Sequence, residues 1–259
     1  MQGSVAMGSE RRLANSPVSE EERQLRMELA ACYRLAQRNG WDELIYNHIS
    51  ARVPGPEHHF LINPFGLAFE EVTASNLLKV DLEGRIIGEQ PYPINAAGFT
   101  IHSAIHAARP DVGCVIHLHT EAGMALSMLE GGLLPLTQTA MFLQGQIAFH
   151  DYEGVALDLG ERERLVRDLG DKAVMILRNH GTLVAGRTIG HAYVAMFLLE
   201  KAARAQLQAM ACNNRLVEAA PAAVGITAAF GKSGAGGSVE HAWRAMVRRL
   251  DREDSSYKN

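Results

Sequence analysis

Cysteine is scarce in this sequence. The 259 residues hold three, Cys32, Cys114 and Cys212, an odd number at scattered positions. That excludes a disulfide framework and reads as reduced thiols in a cytoplasmic protein. Positive charge is not in surplus either: 25 Lys and Arg face 29 Asp and Glu, a net charge of −4. No general polyanion-binding surface is expected, so nucleic acid is not an expected partner. No uninterrupted apolar run approaches the ~20 residues a membrane-spanning helix needs, and the N-terminus lacks the apolar segment of a signal peptide. Nucleotide motifs are missing as well. Gly225 to Ser233 imitates a phosphate-binding loop, but its spacing is one residue too long and it follows a helix rather than a strand. The glycines of 231–237 form no dinucleotide fingerprint, and no Gly-x-Ser-x-Gly elbow occurs. Arg244, Arg248 and Arg249 read as a solvated helix face.

What is present is an ordinary apolar fraction, 47%, in a chain long enough to bury a full core without disulfides. Its most informative stretch is Val112 to Thr120, a short Val/Ile-rich run after a turn at Arg109-Pro110-Asp111. It reads as a buried strand ending in His117-Leu118-His119. Side chains at i and i+2 of a strand share a face, so the two imidazoles project side by side. A second apolar strand, Ala173 to Leu177, leads into Asn179-His180-Gly181. Three neutral imidazoles with an open position are a catalytic zinc set. On spacing alone, core histidines bonded to backbone carbonyls remain the competing reading.

The rest of the chain alternates strands and helices. Ser19 and Glu22 have the spacing of a capping box for a helix to about Arg38 with Leu25, Leu29, Cys32 and Ala36 inward. Residues 47–53 and 60–62 read as a hairpin, 73–76 as a short helical turn, and 77–81 as a strand. Asn95 caps a helix over 96–108, on which His102 and His106 share a face in a packing role. A helix over 121–128, a strand over 146–150, a helix over 161–169, a strand over 182–185 and a long helix over 188–210 follow. A Gly-rich linker at 231–237 precedes a final helix from Ser238, its expected cap, to about Arg249. The pattern predicts an α/β protein with a mixed sheet. The expected organisation is a disordered tail over 1–18, one domain over 19–222, and a linker with a C-terminal helix over 223–259.

Four of these motifs occur together in a known order. Asn47-His-Ile-Ser50, Pro64-Phe-Gly66, His117-Leu-His119 and Asn179-His-Gly181 resemble the class II aldolase/adducin family, and the similarity is closest to the adducin head. It runs from about residue 26 to 210. The resemblance implies a three-layer α/β/α domain with a central mixed, largely antiparallel sheet. It implies that His117, His119 and His180 bind a divalent metal, most often Zn2+. It also implies a homo-oligomer, commonly a tetramer, with active sites between subunits.

The departures from the family limit what carries over. In the aldolases the metal holds the hydroxyl and carbonyl oxygens of an enediolate while a Glu moves the proton. The position matching that Glu is Gly98. The family holds a substrate phosphate with small polar residues, and the counterparts here include Phe65, Ala96 and Ala97. Only Asn47 and Gly66 remain of the anion-binding set. His102, Glu70 and Glu71 are the substitutes for the missing base that the sequence offers. A Glu at position 98 should not unfold the domain, since Glu has the better helix propensity. The expected activity is a lyase on a small hydroxy-carbonyl compound without phosphate. The alternative is a noncatalytic, adducin-like oligomeric module that keeps the metal site. The sequence lacks the neck and basic tail that adducins use on actin and membrane, so neither is an expected partner.

Overall fold

The computed structural model describes residues 18–155, 160–233 and 237–259. The tail expected over 1–18 lies outside them except for Val18, as do 234–236 of the expected linker. Seven strands form one sheet: β1 (His48–Arg52), β2 (Phe60–Ile62), β3 (Leu78–Val80), β4 (Cys114–Leu118), β5 (Ile147–His150), β6 (Val174–Leu177) and β7 (Gly181–Gly186). Their order is β3-β2-β1-β4-β7-β6-β5. Every neighbouring pair is antiparallel except β5 with β6. β4 is central and buried along its whole length, which explains its unbroken apolar run.

Helices cover both faces. On one lie α2 (Ala96–Ala108) and α5 (Glu161–Leu169). Ile101, Ile105, Leu165 and Leu169 pack there on Val115, Met175, Leu183 and Ala185. The other face carries α1 (Glu20–Arg38), α3 (Glu121–Ser127), α6 (Ile189–Ala211) and α8 (Ser238–Glu253). Their side chains join Ile49, Ala51, Cys114, Ile116, Leu118 and Val184 in the largest core cluster. Alternation along β4 therefore sends Cys114, Ile116 and Leu118 to one layer and Val115 and His117 to the other. The domain is α/β/α, with His117 facing the layer that holds α2. Among the described residues, no helix is long and apolar enough to cross a membrane.

Local chemistry sets the element ends, with some departures from the sequence expectation. Asn95 caps α2, its side chain accepting from the Gly98 N–H at 3.1 Å. Ser19 caps α1 through the Glu22 N–H, but the Glu22 carboxylate does not return to complete a capping box. It is buried and bonds Lys79 at 2.8 Å and Arg26 at 3.0 Å instead. Two cations offer a buried carboxylate more than one backbone N–H does. Ser238 is the first residue of α8 rather than its cap, and Gly237 holds the cap position. A 3-10 turn forms at Phe69–Glu71, and a further turn over 74–76 falls within the span read as a short helical turn.

Two helices have no counterpart in the sequence reading: α4 (Gln138–Met141) and α7 (Pro221–Lys232). The second begins with Pro at its first position, as the missing N–H allows. None of its residues is fully buried; Val224, Thr227, Ala228 and Gly231 are half-buried, but the segment is apolar on nearly every face, so no stripe stands out in the sequence.

The C-terminal helix shares the main core. Trp243 is 3% exposed and packs on Tyr193 of α6, ring centroids 5.4 Å apart. Arg34 in α1 bonds Asp254 beyond the helix end at 2.9 Å. Trp243→Ala should cost about 3–5 kcal/mol of stability, as truncation of a buried aromatic does. Urea unfolding measures it; a loss below about 1 kcal/mol would mean that the core does not depend on α8.

Candidate metal centre

Three histidine side chains meet where β4 ends and β6 turns into β7. His117 and His119 leave β4 on the same face, as the i, i+2 spacing requires. His180 sits in the tight turn between β6 and β7. Asn179 makes that turn with φ +55°, in the left-handed region that Asn tolerates. Gly181 follows because no side chain fits: a Cβ there would lie 2.5 Å from the Leu118 carbonyl oxygen and 3.0 Å from the His119 ring.

The tautomers follow from the partners. His117 Nδ1 lies 3.1 Å from the Thr182 carbonyl oxygen, which can only accept, so Nδ1 carries the proton. His119 Nδ1 donates likewise to Glu43 Oε2 at 2.7 Å. Each Nε2 is then left with a bare lone pair. The His119 Nε2 atom stands 3.0 Å from that of His117 and 2.9 Å from that of His180. Lone pairs at this distance repel one another unless a cation lies between them. A tetrahedral ion with nitrogen ligands at about 2.0–2.1 Å holds them roughly 3.3 Å apart, so the three residues fit a divalent metal. Burial and the neighbouring imidazoles push the His117 pKa well below its usual value and that of His180 down to about 4. Both favour the neutral form that ligates metal.

The three nitrogens open into a cleft of about 250 Å3. Its walls include Glu43, Tyr46, His48, Asn95, Gly98 and Tyr152. The other residues singled out from the sequence lie elsewhere. His102 is fully buried, its Nδ1 2.6 Å from Ser50 Oγ, and His106 Nε2 approaches the same oxygen at 2.8 Å. Ser50 thus ties both to the sheet in the packing role read for the pair, outside the cleft lining. Glu70 and Glu71 are exposed in the 3-10 turn, and Glu71 bonds the backbone N–H of Ala68. Asn47 is buried, and Gly66 has φ +105° in its loop; neither lines the cleft.

Sequence reasoning missed Glu43, Tyr46, Tyr152 and His48. Glu43 reaches His119 across 76 residues, and no local signal marks that. For His48 a signal existed, since it stands two residues before Ser50 on a strand and so shares its inward face. Helix propensity leaves out the packing that a Glu at position 98 would meet. A Cβ on residue 98 would lie 2.7 Å from atoms of the His48 ring, so packing overrides helix propensity there.

The family model for the class II aldolase and adducin N-terminal domain matches residues 27–207. The chain belongs to the class II aldolase and adducin family. A protein of Caulobacter vibrioides, provisionally named a class 2 aldolase, is 52% identical over 93% of this chain and 94% of its own length. Alpha-adducin of Rattus norvegicus is 48% identical over 73% of this chain but only 26% of its own length. Among solved structures, L-fuculose 1-phosphate aldolase from Glaciozyma antarctica superposes with a TM-score of 0.81 at 32% identity, over 96% of this chain and 98% of that one. All three histidines lie within the matched segment. So do His48 and Gly98, which meet in the cleft lining.

Proposed function

We propose that this family member is a metal-dependent lyase acting on a small hydroxy-carbonyl compound that carries no phosphate. The observation that carries the reading is the set of three convergent Nε2 atoms opening into a cleft. Neutral imidazoles at this spacing suit Zn2+. Such an ion supplies a Lewis acid for substrate oxygens. His117, His119 and His180 would hold it, with Thr182 and Glu43 fixing the ring orientations of the first two. The small cleft limits the ligand to a compact molecule. The absence of donor side chains at Phe65, Ala96 and Ala97 argues against a phosphate seat. Exposed Tyr46, Tyr152 and Val155 in the cleft lining suit cover by a neighbouring subunit, in keeping with a homo-oligomer, a tetramer for instance. Buried, unpaired Cys32 and Cys114 suit a reducing, cytoplasmic location.

A second reading is a noncatalytic interaction module. Gly98 favours it, because it leaves the position of the aldolase carboxylate without a side chain, and so does the likeness to alpha-adducin. The test is a cleavage assay of zinc-loaded protein on unphosphorylated hydroxy-ketones and hydroxy-aldehydes, with L-fuculose 1-phosphate in parallel. Turnover confined to unphosphorylated compounds is the expected result. Efficient cleavage of the phosphate ester would overturn the substrate class, and zinc binding with no turnover of any compound would favour the module.

A further inference from the structure

Burial leaves one imidazole of the cleft without partners. His48 is 4% exposed, and neither ring nitrogen has a hydrogen-bond partner among the described residues. Its neighbours His102 and His106 are as deeply buried, yet each meets Ser50 Oγ. An unpaired buried polar group costs free energy that any suitable partner would recover. The partner's place is set by the fold. β1 pairs with β4 so that His48 lies directly opposite His117. Their rings are nearly parallel, 19° apart in tilt, with centroids separated by 6.3 Å. From the other side, α2 brings Gly98 so close that a Cβ there would meet the His48 ring. The imidazole therefore occupies the space from which a side chain on residue 98 would start. It lines the same cleft as the three convergent histidines.

We propose that His48 is a substrate-contacting residue: its imidazole hydrogen-bonds a hydroxyl of a small ligand seated at the three-histidine centre. A neutral imidazole offers one N–H and one lone pair, the complement of a hydroxyl group, which donates once and accepts as well. A phosphate or carboxylate oxygen can only accept and would leave the ring lone pair unused. The inference rests on the metal-dependent reading above and narrows it: His48 selects ligands with a hydroxyl beside the chelating oxygens.

The test compares two chelators on zinc-loaded protein by calorimetry, acetohydroxamate and glycolohydroxamate, which differ by one hydroxyl. The wild type should bind the hydroxylated probe about 5–10-fold more tightly, the worth of one hydrogen bond. His48→Phe, which keeps a ring of similar shape and no nitrogen, should bind both equally while retaining zinc. His48→Asn, which keeps a donor and an acceptor, should restore part of the preference. Should the Phe variant fail to fold, 15N spectra of wild-type histidines decide. One ring resonance should respond to glycolohydroxamate alone, while those of the zinc ligands respond to both. A hydroxyl preference that survives in folded His48→Phe overturns the proposal, as does a wild type that holds zinc and shows no preference. Loss of zinc in His48→Phe would make His48 a ligand and overturn it too. Failure of the wild type to hold zinc would overturn both this inference and the metal reading beneath it.

Discussion

His119→Ala should reduce zinc from one ion per chain to a trace after gel filtration, with an affinity loss greater than 100-fold. The residue supplies the Nε2 atom that stands within 3.0 Å of both partners, so its removal separates the remaining two. Changing only an outer partner of a ligand histidine already costs 10–100-fold in metal affinity in typical sites. Glu43→Gln should fall in that smaller range, because a carboxamide oxygen still accepts from His119 Nδ1 but carries no charge. His106→Ala is the control. It removes a bond to Ser50 and should lower stability while leaving zinc content intact. Metal analysis together with competition against a chromogenic chelator measures all three. Full zinc retention by His119→Ala would show that the ion sits elsewhere, and zinc loss in His106→Ala would point to the wrong histidines.

Gly98→Glu should be destabilised and should gain no aldolase activity. The resemblance to the aldolases makes this the position of their proton-transferring Glu, and positioned acid–base catalysis is worth about 10²–10⁴ in rate. The single change cannot recover it, because the new Cβ would collide with the His48 ring at 2.7 Å. Overpacking of this kind costs about 1–3 kcal/mol. Adding His48→Ala, which removes every atom from Cγ outward, should relieve the clash, so the double variant should be more stable than the sum of the two single changes predicts. Cleavage of L-fuculose 1-phosphate should stay absent even then. Phe65, Ala96 and Ala97 contribute no donors to a phosphate, and binding energy at a remote phosphate normally helps to orient the reacting carbons. Urea titrations of the four proteins and a coupled cleavage assay decide the matter. A Gly98→Glu protein as stable as wild type would remove the steric link between the two positions. Robust cleavage by the double variant would show that the carboxylate alone was missing.

The metal candidates were legible because strand periodicity is a local rule. Once 112–120 reads as a strand, His117 and His119 must share a face whatever the rest of the chain does. Asn95 as the cap of α2 was legible for the same reason, since a cap bonds an N–H a few residues away. α7 was not legible, because a segment of small apolar residues on nearly every face leaves no periodic mark.

The sequence by itself determined the succession of the strands and of most helices, the family and the pair of imidazoles on one strand. Only the tertiary structure decided what surrounds the imidazoles: Glu43 on His119, Ser50 on His102 and His106, and no partner on His48 among the described residues. Glu43 and His119 are separated by 76 residues, His48 and Gly98 by a strand pair and a helix. Side-chain direction is fixed by the backbone within a few residues. The identity of the opposite wall is fixed by how whole layers pack. That is why His102 could be placed on a helix face yet not assigned its partner Ser50. It is also why the space left by a glycine could be recognised as filled only once β1 and α2 were seen against each other.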